Sequence, residues 1–175
     1  MKIKDMSLNE KTEFTRRCIG EAVIQMLKTQ EYAEIKVSDV AKRAGVSRTT
    51  FYNYYVDLYD ALTDYLQILV AEYLLEGERT GKNNYFQQDH IVFSFEFFDR
   101  YSEYFLTLAK RRLHAIMFEG INDFVLNHIK AENVSSPYQL YAYAGAILNS
   151  FLKWEEDGKR ESVEKIAEGL KHFIG

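Results

Sequence analysis

The residues with the most chemistry to offer stand together between Ser47 and Tyr55, in the run S-R-T-T-F-Y-N-Y-Y. At helical spacing Phe51 and Tyr55 share one face, which leaves Arg48, Thr49, Thr50, Asn53 and Tyr54 on the other. A guanidinium, two hydroxyls, an amide and a phenol presented together can hold phosphate oxygens and read base edges in a major groove. Ser47 is a preferred N-cap residue, so its hydroxyl and the free N–H groups of the first turn would sit where a phosphate binds. A plain helical corner also carries solvated polar residues, but it rarely needs so many donors at once.

Such a helix has to be held at a fixed angle, and the surrounding sequence supplies the means. From Ile35 to Leu62 the chain reads I-K-V-S-D-V-A-K-R-A-G-V-S-R-T-T-F-Y-N-Y-Y-V-D-L-Y-D-A-L. Val40, Ala41 and Ala44 form the buried side of a short first helix, Gly45 makes a turn that needs positive φ, and Val46 fills the angle between the helices. Gly45→Val is therefore expected to unfold this region. Before it, Leu8 to Thr29 places Phe14, Cys18, Ile19, Ala22, Val23, Met26 and Leu27 on one face of an amphipathic helix. After it, Asp57 with Asp60 resembles a capping box, opening a long helix buried along Leu58, Leu62, Tyr65, Leu69 and Tyr73.

The motifs Asp39-Val40-Ala41, Ala44-Gly45-Val46-Ser47 and Phe51-Tyr52, with the helix preceding them, resemble the DNA-binding domain of the TetR family of transcriptional regulators over about residues 10 to 65. The start Asp57-Leu58-Tyr59-Asp60 and the late Gly145, Trp154 and Gly158 look like a branch common in low-GC Gram-positive bacteria. The chain departs from the family at Lys36, where Ser or Thr usually caps a helix, and at Leu58, where lysine is frequent. Tyr54 replaces a common histidine, and Glu31 stands where glycine usually ends the first helix. The resemblance implies a homodimer on a palindromic double-stranded DNA operator, acting as a repressor that a small-molecule effector releases. It assigns DNA contacts to Lys36, Ser38, Ser47, Arg48, Thr49, Thr50, Tyr52, Asn53 and Tyr54.

Beyond Tyr65 helical periodicity continues. Gly77, Gly81, Asn83 and Asn84 mark a loop; Phe86, Phe93, Phe97, Tyr101, Tyr104 and Leu108 form one stripe; a further helix is expected over Ala109 to Ala131. Ile91, Phe93, Phe95 and Phe97 also alternate like a strand, but no second strand exists to pair with them. Ser135-Ser136-Pro137 opens a helix running to about Glu156, and Ser162 caps a last one. Most of the 25 Phe and Tyr residues lie in this larger part. An aromatic stripe is usually core; with the family resemblance it also suggests a ligand chamber, with Phe93, Phe97, Tyr101, Tyr104, Phe118 and Tyr141 as walls and Arg112 and His114 as polar partners. On the helix from Pro137, the small residues Ala142, Gly145 and Ala146 with Tyr138 and Leu152 suggest a dimer face, joined by Ile166, Leu170 and Phe173 of the last helix.

Composition bounds the reading. The 175 residues carry a net charge of −4, but residues 1 to 55 hold ten Lys or Arg against seven Asp or Glu, a balance of +3, and the remainder −7: a mildly basic head on an acidic body. One cysteine, Cys18, and no apolar leader in Met1 to Glu10 suit the cytoplasm. Gly77 to Asn83 is one spacer short of a phosphate loop, no histidine has Glu three residues before it, and neither HExxH nor GxSxG occurs. Catalytic residues, a metal and cofactors are therefore not expected, and His90, His114, His128 and His172 are given solvated or structural roles. The fold expected is all-α with about nine helices: a three-helix head with a helix-turn-helix at 1–55, and a helical ligand-sensing and dimerisation domain at 56–175. A protein-interaction module or a small-molecule carrier with a vestigial head is the alternative.

Overall fold

A computed structural model of the chain describes residues 7–130, 134 and 136–174. Ala131, Ser135 and the charged start at Met1 to Met6 lie outside the described residues. Nine α-helices occur among the described residues, and no strand: α1 (Leu8–Leu27), α2 (Val37–Ala44), α3 (Arg48–Tyr54), α4 (Leu58–Thr80), α5 (Gln88–Arg100), α6 (Ser102–Lys110), α7 (His114–His128), α8 (Pro137–Glu156) and α9 (Val163–Ile174), with a single 3-10 turn at Tyr32–Glu34. They form two compact units. The first runs to Leu69 and takes in Thr107–Ile116; the second comprises Val70–Leu106 and the chain from Met117.

In the first unit α1 opens on a reciprocal cap: Ser7 N–H donates to the Glu10 carboxylate at 2.7 Å, and Glu10 N–H to the Ser7 hydroxyl at 3.3 Å. α1 packs on α2 and α2 on α3. The core is Ile19, Val23, Leu27, Val40, Phe51 and Leu62, each fully buried, a burial worth about 1.5–3 kcal/mol for each large side chain. Phe14, expected on this face, is exposed, because the inward stripe of α1 begins at Ile19. Gly20 sets the spacing of α1 from α4: a Cβ there would lie 2.6 Å from Tyr65 Cβ. The stripe Leu58, Leu62, Tyr65, Leu69 and Tyr73 of α4 is buried as expected, and Asp57 caps its first turn by accepting Asp60 N–H at 2.9 Å.

A partly buried polar triad ties three elements of this unit. Arg16 of α1 donates Nε–H to Asp64 of α4 at 2.9 Å and its Nη2 pairs with the second carboxylate oxygen. Tyr55, the C-cap of α3, donates its hydroxyl to Asp64 at 2.6 Å. Burial and the carboxylate push the Tyr55 phenol well above its ordinary pKa, so it remains a donor.

In the second unit α5 packs against α8 and α9, and α8 against α9. Phe98 lies 4.8 Å from Phe105 and 5.4 Å from Phe151, and Phe95 meets Phe151 edge-on at 6.0 Å. The segment Ile91 to Phe98 is helical, as its wider periodicity required. Two expectations need correction. The aromatic stripe from Phe86 to Leu108 is broken at Tyr101 into α5 and α6. The helix expected from Ala109 instead ends at Lys110, turns through Arg112 with φ +60°, and restarts at His114. A left-handed residue that is neither Gly nor Asn gives no sequence warning.

Tyr55→Phe should cost about 1.5–3 kcal/mol, the range for a hydrogen bond to a charged group. Urea unfolding should show a lower midpoint at unchanged slope; an unchanged midpoint would mean that the hydroxyl is satisfied as well by water.

Candidate nucleic-acid interface

α2 ends on Gly45 in the left-handed conformation, φ +72° and ψ +27°, and Val46 N–H returns to the carbonyl of Ala41 at 2.9 Å. Ser47 then caps α3: its hydroxyl accepts Thr50 N–H at 2.9 Å and pairs with the Thr50 hydroxyl at 2.8 Å. These two hydroxyls, expected to face a phosphate, thus serve the turn itself. Phe51 and Tyr55 point inward and are buried, whereas Arg48, Thr49, Tyr52, Asn53 and Tyr54 are exposed. The Phe51 ring meets Tyr52 and Tyr55 edge-on, both at 5.5 Å, which fixes the rotation of this short helix about its axis.

Lys36 is the N-cap of α2 and makes no side-chain cap bond, since an ammonium has no acceptor. Lys36 and Ser38 are both exposed. The sequence reading passed over Lys42 and Arg43, exposed in the last turn of α2, where cations suit the helix dipole; Arg43 reaches Gln25 at 3.0 Å. It also passed over Arg111, whose Nε–H donates to the carbonyl of Leu27 at 2.5 Å, while Nη1 pairs with Glu31. Arg111 caps the C-terminus of α1, and Glu31 becomes its partner.

The expected ligand residues divide. Phe93, Phe97 and Tyr104 are buried, Phe118 is half-buried, and the half-buried Tyr101 donates its hydroxyl to Glu72. Tyr141 is exposed instead, because α8 turns Leu140, Tyr143, Ala144 and Ile147 inward. Arg112 is exposed on its left-handed turn, and it and His114 fall in the first unit, not the one that holds the aromatic residues. Besides Tyr104, the polar residues buried in the second unit include Tyr73, His90, Ser94 and Tyr143. His90 and Ser94, four apart on α5, were the available signal; reading every histidine by itself hid it.

On α8, Tyr138 is 82% exposed, Tyr141 and Ala142 are exposed, and Gly145, Ala146 and Leu152 are half-buried. On α9, Ile166 and Leu170 are half-buried and Phe173 is 80% exposed. Among the described residues no three His, Cys, Asp or Glu side chains gather as around a metal ion, and no helix is long and apolar enough to cross a membrane.

No family model matches the chain. It is 23% identical over 181 residues to YxbF of Bacillus subtilis (strain 168), an uncharacterized HTH-type transcriptional regulator. That match takes in 98% of this chain and 47% of YxbF, so the chain spans about half the length of the curated relative it matches. The fold is similar to Lin0861 from Listeria innocua, with TM-score 0.74 and 15% identity over 95% of this chain and 92% of that one. It is also similar to a tetR-family transcriptional regulator from Streptomyces coelicolor, with TM-score 0.53 and 15% identity over 97% and 80% of the two chains. The fold is that of the helical regulators with an N-terminal helix-turn-helix head.

The surroundings of Gly45 revise one expectation. No atom lies within 4 Å of a Cβ built there, so a substitution meets backbone strain but no clash. Gly45→Val should cost about 1–3 kcal/mol and leave the head folded, and Gly45→Asn should cost less than about 1 kcal/mol. Thermal melts followed by circular dichroism check both; loss of the head's helices at room temperature in the valine variant would restore the original expectation.

Proposed function

We propose that the chain is a TetR-family transcriptional regulator, a repressor that binds a palindromic operator as a homodimer and leaves it when a small molecule binds. The observation that carries this reading is α3 itself. It follows a left-handed glycine, is capped by Ser47, and is pinned from behind by Phe51 and Tyr55. Arg48, Thr49, Tyr52, Asn53 and Tyr54 are left toward solvent. Arg48 and Asn53 offer the bidentate donors and acceptors that distinguish guanine and adenine in a major groove. Lys36, Lys42 and the net +3 of residues 1 to 55 supply the attraction to phosphate. In this reading residues 1–55 serve DNA and 56–175 serve dimerisation and sensing.

A head this small reads few bases, so tight binding needs two heads set about 34–36 Å apart or at a multiple of the helical repeat. The exposed Tyr138, Tyr141 and Ala142 of α8 support a partner helix there. At Gly145 an added Cβ would meet only Asn149 Nδ2, at 3.9 Å, so the surface is open to close approach. Phe173 of α9 would extend the same face.

Enrichment of sheared genomic DNA on the purified chain tests the reading. At about 50 mM salt it should recover fragments sharing one palindrome, and recovery should fall steeply by about 200 mM. Gly145→Arg should sediment as a folded monomer and lose the enrichment. No enrichment at low salt contradicts the DNA reading, and a dimer of unchanged mass in the variant contradicts the α8 face.

A further inference from the structure

Charge changes sign along the helix-turn-helix. From Lys36 to Arg48 the chain carries Lys36, Lys42, Arg43 and Arg48 against the single acid Asp39, and all four cations are exposed. From Thr49 to Glu78 it has no Lys, Arg or His, and the first acids after α3 are Asp57, which is exposed, and Asp60, which is half-buried.

These two carboxylates close the start of α4 to an anion. In the first turn Asp60 N–H donates to the Asp57 carboxylate at 2.9 Å, and Tyr59 N–H to the Tyr32 phenol. Asp60 in turn accepts Val56 N–H at 3.1 Å, and Leu58 turns inward and is buried. The helix end thus presents negative charge where free N–H groups would otherwise receive a phosphate. Val56 is 83% exposed, so this edge of the first unit is open.

The length of α3 decides what the edge meets. Its seven residues span about 10 Å, close to the width of a major groove at about 12 Å. With the N-terminal residues of α3 at the base edges, its far end stands at the wall of the groove, where the sugar–phosphate chain runs. Val56, Asp57 and Asp60 come directly after that end.

We propose that this edge repels the DNA backbone: Asp57 and Asp60 oppose the phosphates beside the C-terminal end of α3, so each head grips the duplex through α2 and the start of α3 alone. The proposal rests on the reading of the chain as a DNA-binding regulator and adds how the duplex is held. Like charges at that wall lower the affinity for any sequence, which leaves more of the binding to the base contacts of Arg48 and Asn53.

Fluorescence anisotropy of the full chain with a mixed-sequence duplex of about 30 base pairs, long enough for two half-sites, tests the proposal. Asp57→Asn removes the charge and keeps the cap, because an amide oxygen accepts the same N–H. At about 50 mM salt this variant should bind the duplex about three- to tenfold tighter than the parent, and the gain should shrink by about 200 mM. Asp60→Asn should act in the same direction. Glu168→Gln, which changes the net charge equally from an exposed position on α9, should stay within about twofold of the parent. Unchanged circular dichroism at the temperature of the titration shows that all three variants fold. Unchanged or weaker binding by both asparagine variants, or a gain no larger than that of Glu168→Gln, would overturn the proposal while the DNA reading stands. No binding of the duplex by any form at about 50 mM salt would overturn both.

Discussion

Asp64 accepts the Tyr55 hydroxyl at 2.6 Å on the same carboxylate oxygen that faces Arg16 Nε at 2.9 Å. That one carboxylate ties α1 and α4 to the C-cap residue of α3, and much else in the first unit follows from it. α3 has only seven residues, too few to hold its own conformation in water, so its direction is fixed from outside. Phe51 anchors it in apolar contact, Ser47 closes its first turn, and Tyr55 fastens its end. Two anchors on one side and a cap at the start leave a single rotation in which Arg48 and Asn53 face outward.

The parts of this arrangement that depend on neighbours in sequence were legible. A glycine needed at positive φ, a serine followed by a short apolar-spaced run, and Asp57 three residues before Asp60 are local demands that only a few residue types meet. The buried stripe of α4 followed from periodicity, and the start of α8 from Ser136 and Pro137, for the same reason. What depended on distant residues was not legible. The bond from Arg16 to Asp64 spans 48 positions, the contact of Arg111 with Leu27 spans 84, and the need for a glycine at position 20 appears only once Tyr65 is beside it.

The candidate site residues divide along the same line. The outward set on α3 could be read from one helix and its spacing. The ligand set required the phase of α8 and the turn at Arg112. Tyr141 is exposed whereas Tyr143 is enclosed, and Arg112 lies in the turn between α6 and α7, where the sequence suggested one continuous helix. Buried polar residues at His90 and Ser94 looked ordinary in sequence because their common partner, Tyr73, lies on α4. The second unit keeps polar atoms inside an aromatic core, a burden that a purely structural core would shed by using Phe and Ala.

The claim on which the account stands is that the exposed face of α3 reads sequence. Arg48→Ala and Asn53→Ala, measured on the preferred palindrome and on its single-base variants at one fixed salt concentration, test it most directly. The account predicts a loss of about 1–3 kcal/mol on the preferred site and a flattened preference at one position in each half-site. An equal loss on every sequence would show that these side chains only hold phosphate, and would contradict it.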